Sequence, residues 1–120
     1  MITTWVFIVI GDEAGGYVLR VQGYDTTSTA GDSLTGTDAT TPSNWVANGN
    51  MFSANDTDQD RNADVHCAVC CSRGGFWYNG CGMANPMGTY GATGWAGVYW
   101  YTVFNSNDPI KSIEMKLKPV

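Results

Sequence analysis

Four cysteines, Cys67, Cys70, Cys71 and Cys81, crowd into one short stretch of the 120-residue chain, and an acidic run, Asp56-Thr57-Asp58-Gln59-Asp60 with Asn62 and Asp64, precedes them directly. That juxtaposition constrains the fold more than any other feature. A chain of this length fits one domain, and its middle carries residues suited to covalent or metal cross-links, although on spacing alone the acidic run fits a solvated turn that binds nothing equally well. Clustered cysteines fit either an oxidised, secreted domain or a metal cluster. With His66, the cysteines supply enough nitrogen and sulfur for a tetrahedral zinc site, so both readings stand on the residues alone. The tripeptide Asn55-Asp56-Thr57 leans toward secretion, because Asn-x-Thr is an acceptor for N-linked sugar.

The acidic run places oxygen donors at alternate residues, so a curled loop can aim several of them at one point, as a hard cation requires. Calcium takes about six to eight oxygens. The run is no EF-hand, since Arg61 stands where the sixth-position glycine is needed. A net charge of -5 with only 6 Lys and Arg gives no footprint for nucleic acid. The apolar Thr4–Ile10 run is too short to span a bilayer and lacks the basic flank of a signal peptide, so no membrane insertion is expected.

Only 14% of residues are charged, while Gly supplies 15 positions, a balance that favours loops braced by aromatic rings over long helices. Trp5–Ile10 reads as a buried strand, paired through Asp12-Glu13-Ala14-Gly15-Gly16 to a second strand over Tyr17–Val21. Residues 25–50, rich in Thr, Ser, Gly, Asp and Asn, read as a long surface loop anchored by Trp45. Turns are expected at Arg73-Gly74-Gly75 and Asn79-Gly80. Near the end, Ser112–Leu117 alternates polar and apolar residues and predicts a half-buried strand with Ile113, Met115 and Leu117 on one face. Trp77 and Trp100 are assigned to the core, while Trp95, Tyr99 and Phe104 fit core or surface.

The string from Met51 to Asp60, then His66-Cys67-Ala68, then Gly75-Phe76-Trp77-Tyr78-Asn79-Gly80-Cys81, resembles the signature of fibrinogen-related domains. Tyr17–Val21, Ala30–Leu34, Gly97–Trp100 and Glu114–Pro119 extend the likeness over nearly the whole chain, without the front of that domain. The resemblance implies an α+β fold, a twisted antiparallel sheet with its last strand inserted among earlier ones, mainly from residues 1–50 and 98–120. A loop-rich calcium- and ligand-binding lobe would occupy residues 51–97, with few short helices. It also implies calcium carboxylates at Asp58 and Asp60, carbonyl ligands near Asn62 and Asp64, and a Cys67–Cys81 disulfide.

In lectin-like members an acetyl group enters an aromatic pocket beside the second cysteine, where amides around a cis peptide meet its oxygen. The matching residues are Tyr78, Gly80, Cys81 and Gly82, with Trp95 on the far side. This sequence departs from the pattern where the usual His becomes Gly82 and the usual Tyr becomes Gly94. Cys70 and Cys71 lie outside the pattern; they can bridge each other, pair with another chain or stay reduced.

The function so implied is a secreted, calcium-dependent, lectin-like pattern-recognition module. Its expected partners are acetylated glycans or microbial surface polysaccharides. Weak shallow sites of that kind act through avidity, hence as a homo-oligomer. The alternative is a protein-interaction module that binds a receptor or matrix protein. An enzyme is not expected, because His66 is the only histidine and no nucleophile elbow or paired catalytic carboxylates stand out.

Overall fold

A computed structural model describes residues 2–36, 41–70, 74–103, 110–116 and 118–119. Cys71, Arg73, Phe104 and Leu117, on which expectations were placed, lie outside the described residues.

The fold opens with strand β1, Trp5–Ile10, antiparallel to β2, Leu19–Tyr24, with Trp5 opposite Tyr24 and Ile10 opposite Leu19. The connection closes through local chemistry. The Asp12 carboxylate accepts the Gly15 amide at 2.9 Å, and the Asp12 carbonyl accepts the Tyr17 amide at 2.9 Å. Tyr17 itself takes φ +56, which keeps it out of β conformation; β2 therefore starts at Leu19 instead of Tyr17.

The expectation that β1 is buried is corrected: every residue after Trp5 in this strand is exposed. Alternate side chains of β2, Leu19 and Val21, enter the core, while β1 lies beyond them and reaches inward only through Trp5, whose ring meets Trp100 edge-on at 6.0 Å. A run that is apolar at every position carries no periodicity to say which face is covered.

The described residues of the 25–50 segment form no strand or α-helix, as expected of a loop, yet they are not merely surface. Their turn at Ala47–Asn50 takes the place of a third strand beside β2: Leu19 donates to the Asn50 carbonyl at 3.0 Å, Gly49 donates to Leu19 at 2.7 Å, and Val21 donates to the Asn48 side chain at 2.8 Å. Asp32 is buried and survives there because its carboxylate accepts the amides of Leu34 and Thr35 and the Thr35 hydroxyl. Ser33 and Gly31 are tied to residues far along the sequence, by Thr102 and by the Trp100 indole, which donates to the Gly31 carbonyl at 3.1 Å.

A one-turn helix α1, Cys67–Cys70, a second antiparallel pair, β3 at Ala84–Asn85 with β4 at Tyr99–Trp100, and single 3-10 turns at Ser43–Trp45, Gly94–Ala96 and Tyr101–Val103 complete the regular structure among the described residues. Small antiparallel sheets, a few short helical turns and long braced loops make the fold α+β. The core runs from Leu19 and Val21 through Leu34 and Ala47 to Phe76 and Tyr78; Trp77 and Trp100, assigned to the core, are partly buried and pack against its edge.

The strand expected over Ser112–Leu117 does not form: its described residues are unpaired coil, and Met115 is 67% exposed. Alternation licenses a strand only where an open edge supplies a ladder, and no strand pairs with this segment among the described residues. Ile113 and Met115 instead line an open groove of about 280 Å³ with Pro86, Met87 and Val98.

Candidate functional site

The acidic loop is shaped by a relay of side chains bonding to the backbone two residues ahead. The Asp58 carboxylate accepts the Asp60 amide at 3.3 Å, Asp60 accepts the Asn62 amide at 2.8 Å, and the Asn62 side-chain oxygen accepts the Asp64 amide at 3.0 Å. This curl follows directly from the alternating Asp and Asn. Asp60 does more than its neighbours, since its second oxygen accepts the amide of Cys67, the first residue of α1, at 2.8 Å. Asp58 is exposed and Asp60 half-buried, so one carboxylate faces solvent while the other ties the loop to the core.

Cys67 and Cys81 form the disulfide that the resemblance implied, with Cα atoms 5.3 Å apart. The zinc alternative loses two of its sulfurs to this bond, and His66 is spent on the Ala54 carbonyl at 2.9 Å. Among the described residues no group of three His, Cys, Asp or Glu side chains converges to hold a metal. The calcium set expected at Asp58, Asp60, Asn62 and Asp64 asks less of side chains: two carboxylates and backbone carbonyls on one curled loop. Hard oxygen donors of that kind suit calcium and not zinc.

Beyond the disulfide, the cis peptide expected before Cys81 is absent among the described residues. The backbone reverses there by another route, with Cys81 at φ +72 and Gly82 at φ +146. A non-glycine residue in that region costs about 1–3 kcal/mol and persists only when its surroundings hold it. Three tethers do so: the disulfide, the Gly80 amide donating to the Asn44 carbonyl at 2.7 Å, and the Met83 amide donating to the Trp45 carbonyl at 3.2 Å. A Cβ at Gly80 would lie 3.0 Å from the Asn44 carbonyl oxygen, a tight contact that Asn44 would have to yield to.

The expected pocket residues separate on inspection. Tyr78 is 0% exposed, its ring against Phe76 and its hydroxyl donating to the Gly74 carbonyl at 2.5 Å. The Gly80 amide points at Asn44, not outward. Gly82 accepts the hydroxyl of buried Tyr99 at 2.9 Å, and Tyr99 in turn meets Trp95 edge-on at 5.1 Å. Trp95 thus stands at the surface, joined to the Cys81 corner through one ring.

Around it lies an aromatic platform. Trp95 and Tyr101 stack at 6.2 Å with planes 11° apart, and Trp45 closes the side with edge contacts to both, at 6.1 Å and 5.3 Å. Trp95 is 43% exposed and Tyr101 41%. The backbone beneath is tethered, because buried Asn85 donates to the carbonyls of Trp95 and Gly97 at 3.3 Å and 3.0 Å. Sequence reasoning placed Trp95 here but missed Tyr101 and Asn85, and read Trp45 only as a loop anchor. The available signal was a lone Trp in a polar stretch, which has to dock somewhere.

A disulfide-stapled acidic loop followed by an aromatic lobe on small antiparallel sheets matches one known family. The family model for fibrinogen beta and gamma chains, C-terminal globular domain, aligns with residues 3–120. The protein belongs to that family. This fibrinogen C-terminal domain is similar to chicken tenascin, 39% identical over 111 residues, which cover 92% of this chain and 5% of tenascin. It is also similar to rat fibrinogen-like protein 1, 37% identical over 116 residues, or 92% of this chain and 36% of that protein. Among solved structures, the fibrinogen-like globe domain of human ANGPTL2 superposes with a TM-score of 0.72 at 28% identity, over 91% of this chain and 47% of that one. The sequence therefore spans less than half the length of each of these relatives.

Proposed function

We propose that this fibrinogen C-terminal domain is an extracellular protein-recognition module, a binding domain and not an enzyme, whose contact surface is the Trp95–Tyr101 platform. The observation that carries the reading is a pair of stacked, solvent-facing rings on a backbone fixed by buried Asn85. Rigid Trp and Tyr supply large contact area with little ordering entropy and dominate binding energy at protein interfaces. The extracellular setting is supported by the Cys67–Cys81 disulfide, which persists in oxidising compartments. Among the described residues no helix is long and apolar enough to cross a membrane.

Calcium belongs to this proposal as a staple. Held by Asp58 and Asp60 with carbonyls of Asn62 and Asp64, it would neutralise a loop of like charges and fix the segment that leads into α1. The acetyl-pocket lectin reading has less support, because the Tyr78 ring lies in the core and the Gly80 amide already has its acceptor. It retains Trp95 as an aromatic face for a sugar.

The deciding experiment presents the domain as a tetramer to cell surfaces and compares it with Trp95→Ala and Tyr101→Ala. Loss of a hot-spot ring should weaken binding by at least ~25-fold, about 2 kcal/mol, with unchanged circular dichroism, and binding should vanish after protease treatment of the cells. Binding that survives both substitutions rejects the platform. Binding abolished by N-acetylglucosamine and resistant to protease would return the lectin reading to first place.

A further inference from the structure

The tripeptide Asn55-Asp56-Thr57 occupies the tip of a tight turn that the recognition platform does not use. Its base is closed in both directions, Ala54 donating to the Thr57 carbonyl at 3.0 Å and Thr57 donating to the Ala54 carbonyl at 3.1 Å. The backbone below is also tied, since Ser53 and Phe76 form an isolated antiparallel bridge with amide bonds at 3.0 and 3.1 Å, and His66 holds the Ala54 carbonyl. Above this base Asn55, Asp56 and Thr57 are all exposed. Neither Asn55 nor Asp56 has positive φ, and the Asn55 side-chain amide has no hydrogen bond among the described residues. No other asparagine in the sequence has Ser or Thr two positions on.

We propose that Asn55 is an N-glycosylation site. In the transfer, the bond from the sugar's anomeric carbon to a lipid-linked pyrophosphate oxygen breaks and a bond from that carbon to Asn55 Nδ2 forms. The amide nitrogen loses a proton and the lipid pyrophosphate departs. The residue is placed to keep the product: a bulky, solvated group at the tip of this turn displaces no packed side chain and strands no buried partner. Standing three residues before Asp58, it covers one flank of the acidic loop. The inference rests on the extracellular reading, because the donor and its transferase are met only on the secretory route.

The test expresses the full sequence behind a cleavable secretion leader in mammalian cells, alongside Asn55→Gln, Thr57→Ala and Thr57→Ser. Each product is run before and after peptide-N-glycosidase, residue 55 is read by mass spectrometry, and thiol alkylation reports the Cys67–Cys81 bond. The expected result is a slow-migrating form of the parent and of Thr57→Ser that collapses on enzyme treatment with Asn-to-Asp conversion at 55. Asn55→Gln and Thr57→Ala should lack it. A secreted, disulfide-bonded parent without the modification overturns the glycan while leaving the extracellular reading intact. A protein retained with Cys67 and Cys81 reduced overturns both.

Discussion

Tyr78 separates a core role from a ligand-binding role, and two substitutions at it are sharply predictive. Its ring is fully buried in the core with Phe76 and the β2 side chains, and its hydroxyl donates to the Gly74 carbonyl at 2.5 Å. Tyr78→Phe keeps the packing and removes that hydrogen bond. Because Gly74 is half-buried, water can reach its carbonyl, and the cost should be about 1 kcal/mol. Tyr78→Ala removes the whole ring from a site with no solvent access and should cost about 3–5 kcal/mol. Against a total of roughly 5–15 kcal/mol for a domain of ordinary stability, that is a large fraction. Urea unfolding followed by tryptophan fluorescence gives both values, provided the slope with denaturant stays constant. If Tyr78→Ala unfolds within about 1 kcal/mol of the parent, the ring does not belong to the core and the packing argument fails.

The disulfide closes a loop with a sequence separation of 14. Cys67→Ala with Cys81→Ala should therefore lower stability by roughly 3 kcal/mol in denaturant titrations, and a much smaller loss would mean that hydrogen bonds alone order the acidic loop. Calcium should raise the thermal midpoint of the parent by mass action and leave Asp58→Asn unmoved. Asp60→Asn should be destabilised by about 1–2 kcal/mol even in chelator, because both Asp60 oxygens accept backbone amides, one of them at α1; differential scanning calorimetry reads all three. At Asp25, the Thr27 hydroxyl and then the Thr27 amide hold the carboxyl below the ordinary carboxylate value. A depressed folded value means that the group favours the folded state above its unfolded pKa and loses that contribution as pH falls through the folded one. Thr27→Ala should raise the Asp25 midpoint in an NMR titration; an unchanged midpoint would exclude the hydroxyl as the cause.

The sequence alone determined whatever depends on neighbours a few residues apart. Asp12 and the paired glycines fixed the β1–β2 turn, the alternating Asp58, Asp60 and Asn62 fixed the curl of the acidic loop, and the motif around Cys67 and Cys81 was specific enough to carry its disulfide by resemblance. The bonds of the turn and the curl form within a few residues, so spacing in sequence is spacing in space. Tertiary structure decided the rest. It set β1 outside the core, left Ser112–Lys116 without a strand partner, turned Tyr78 inward and brought Trp45 from a polar loop onto Trp95 and Tyr101. Each of these depends on which distant segment covers a given face, and an apolar residue is compatible with any cover that excludes water. Its partner is chosen by the packing of the whole molecule.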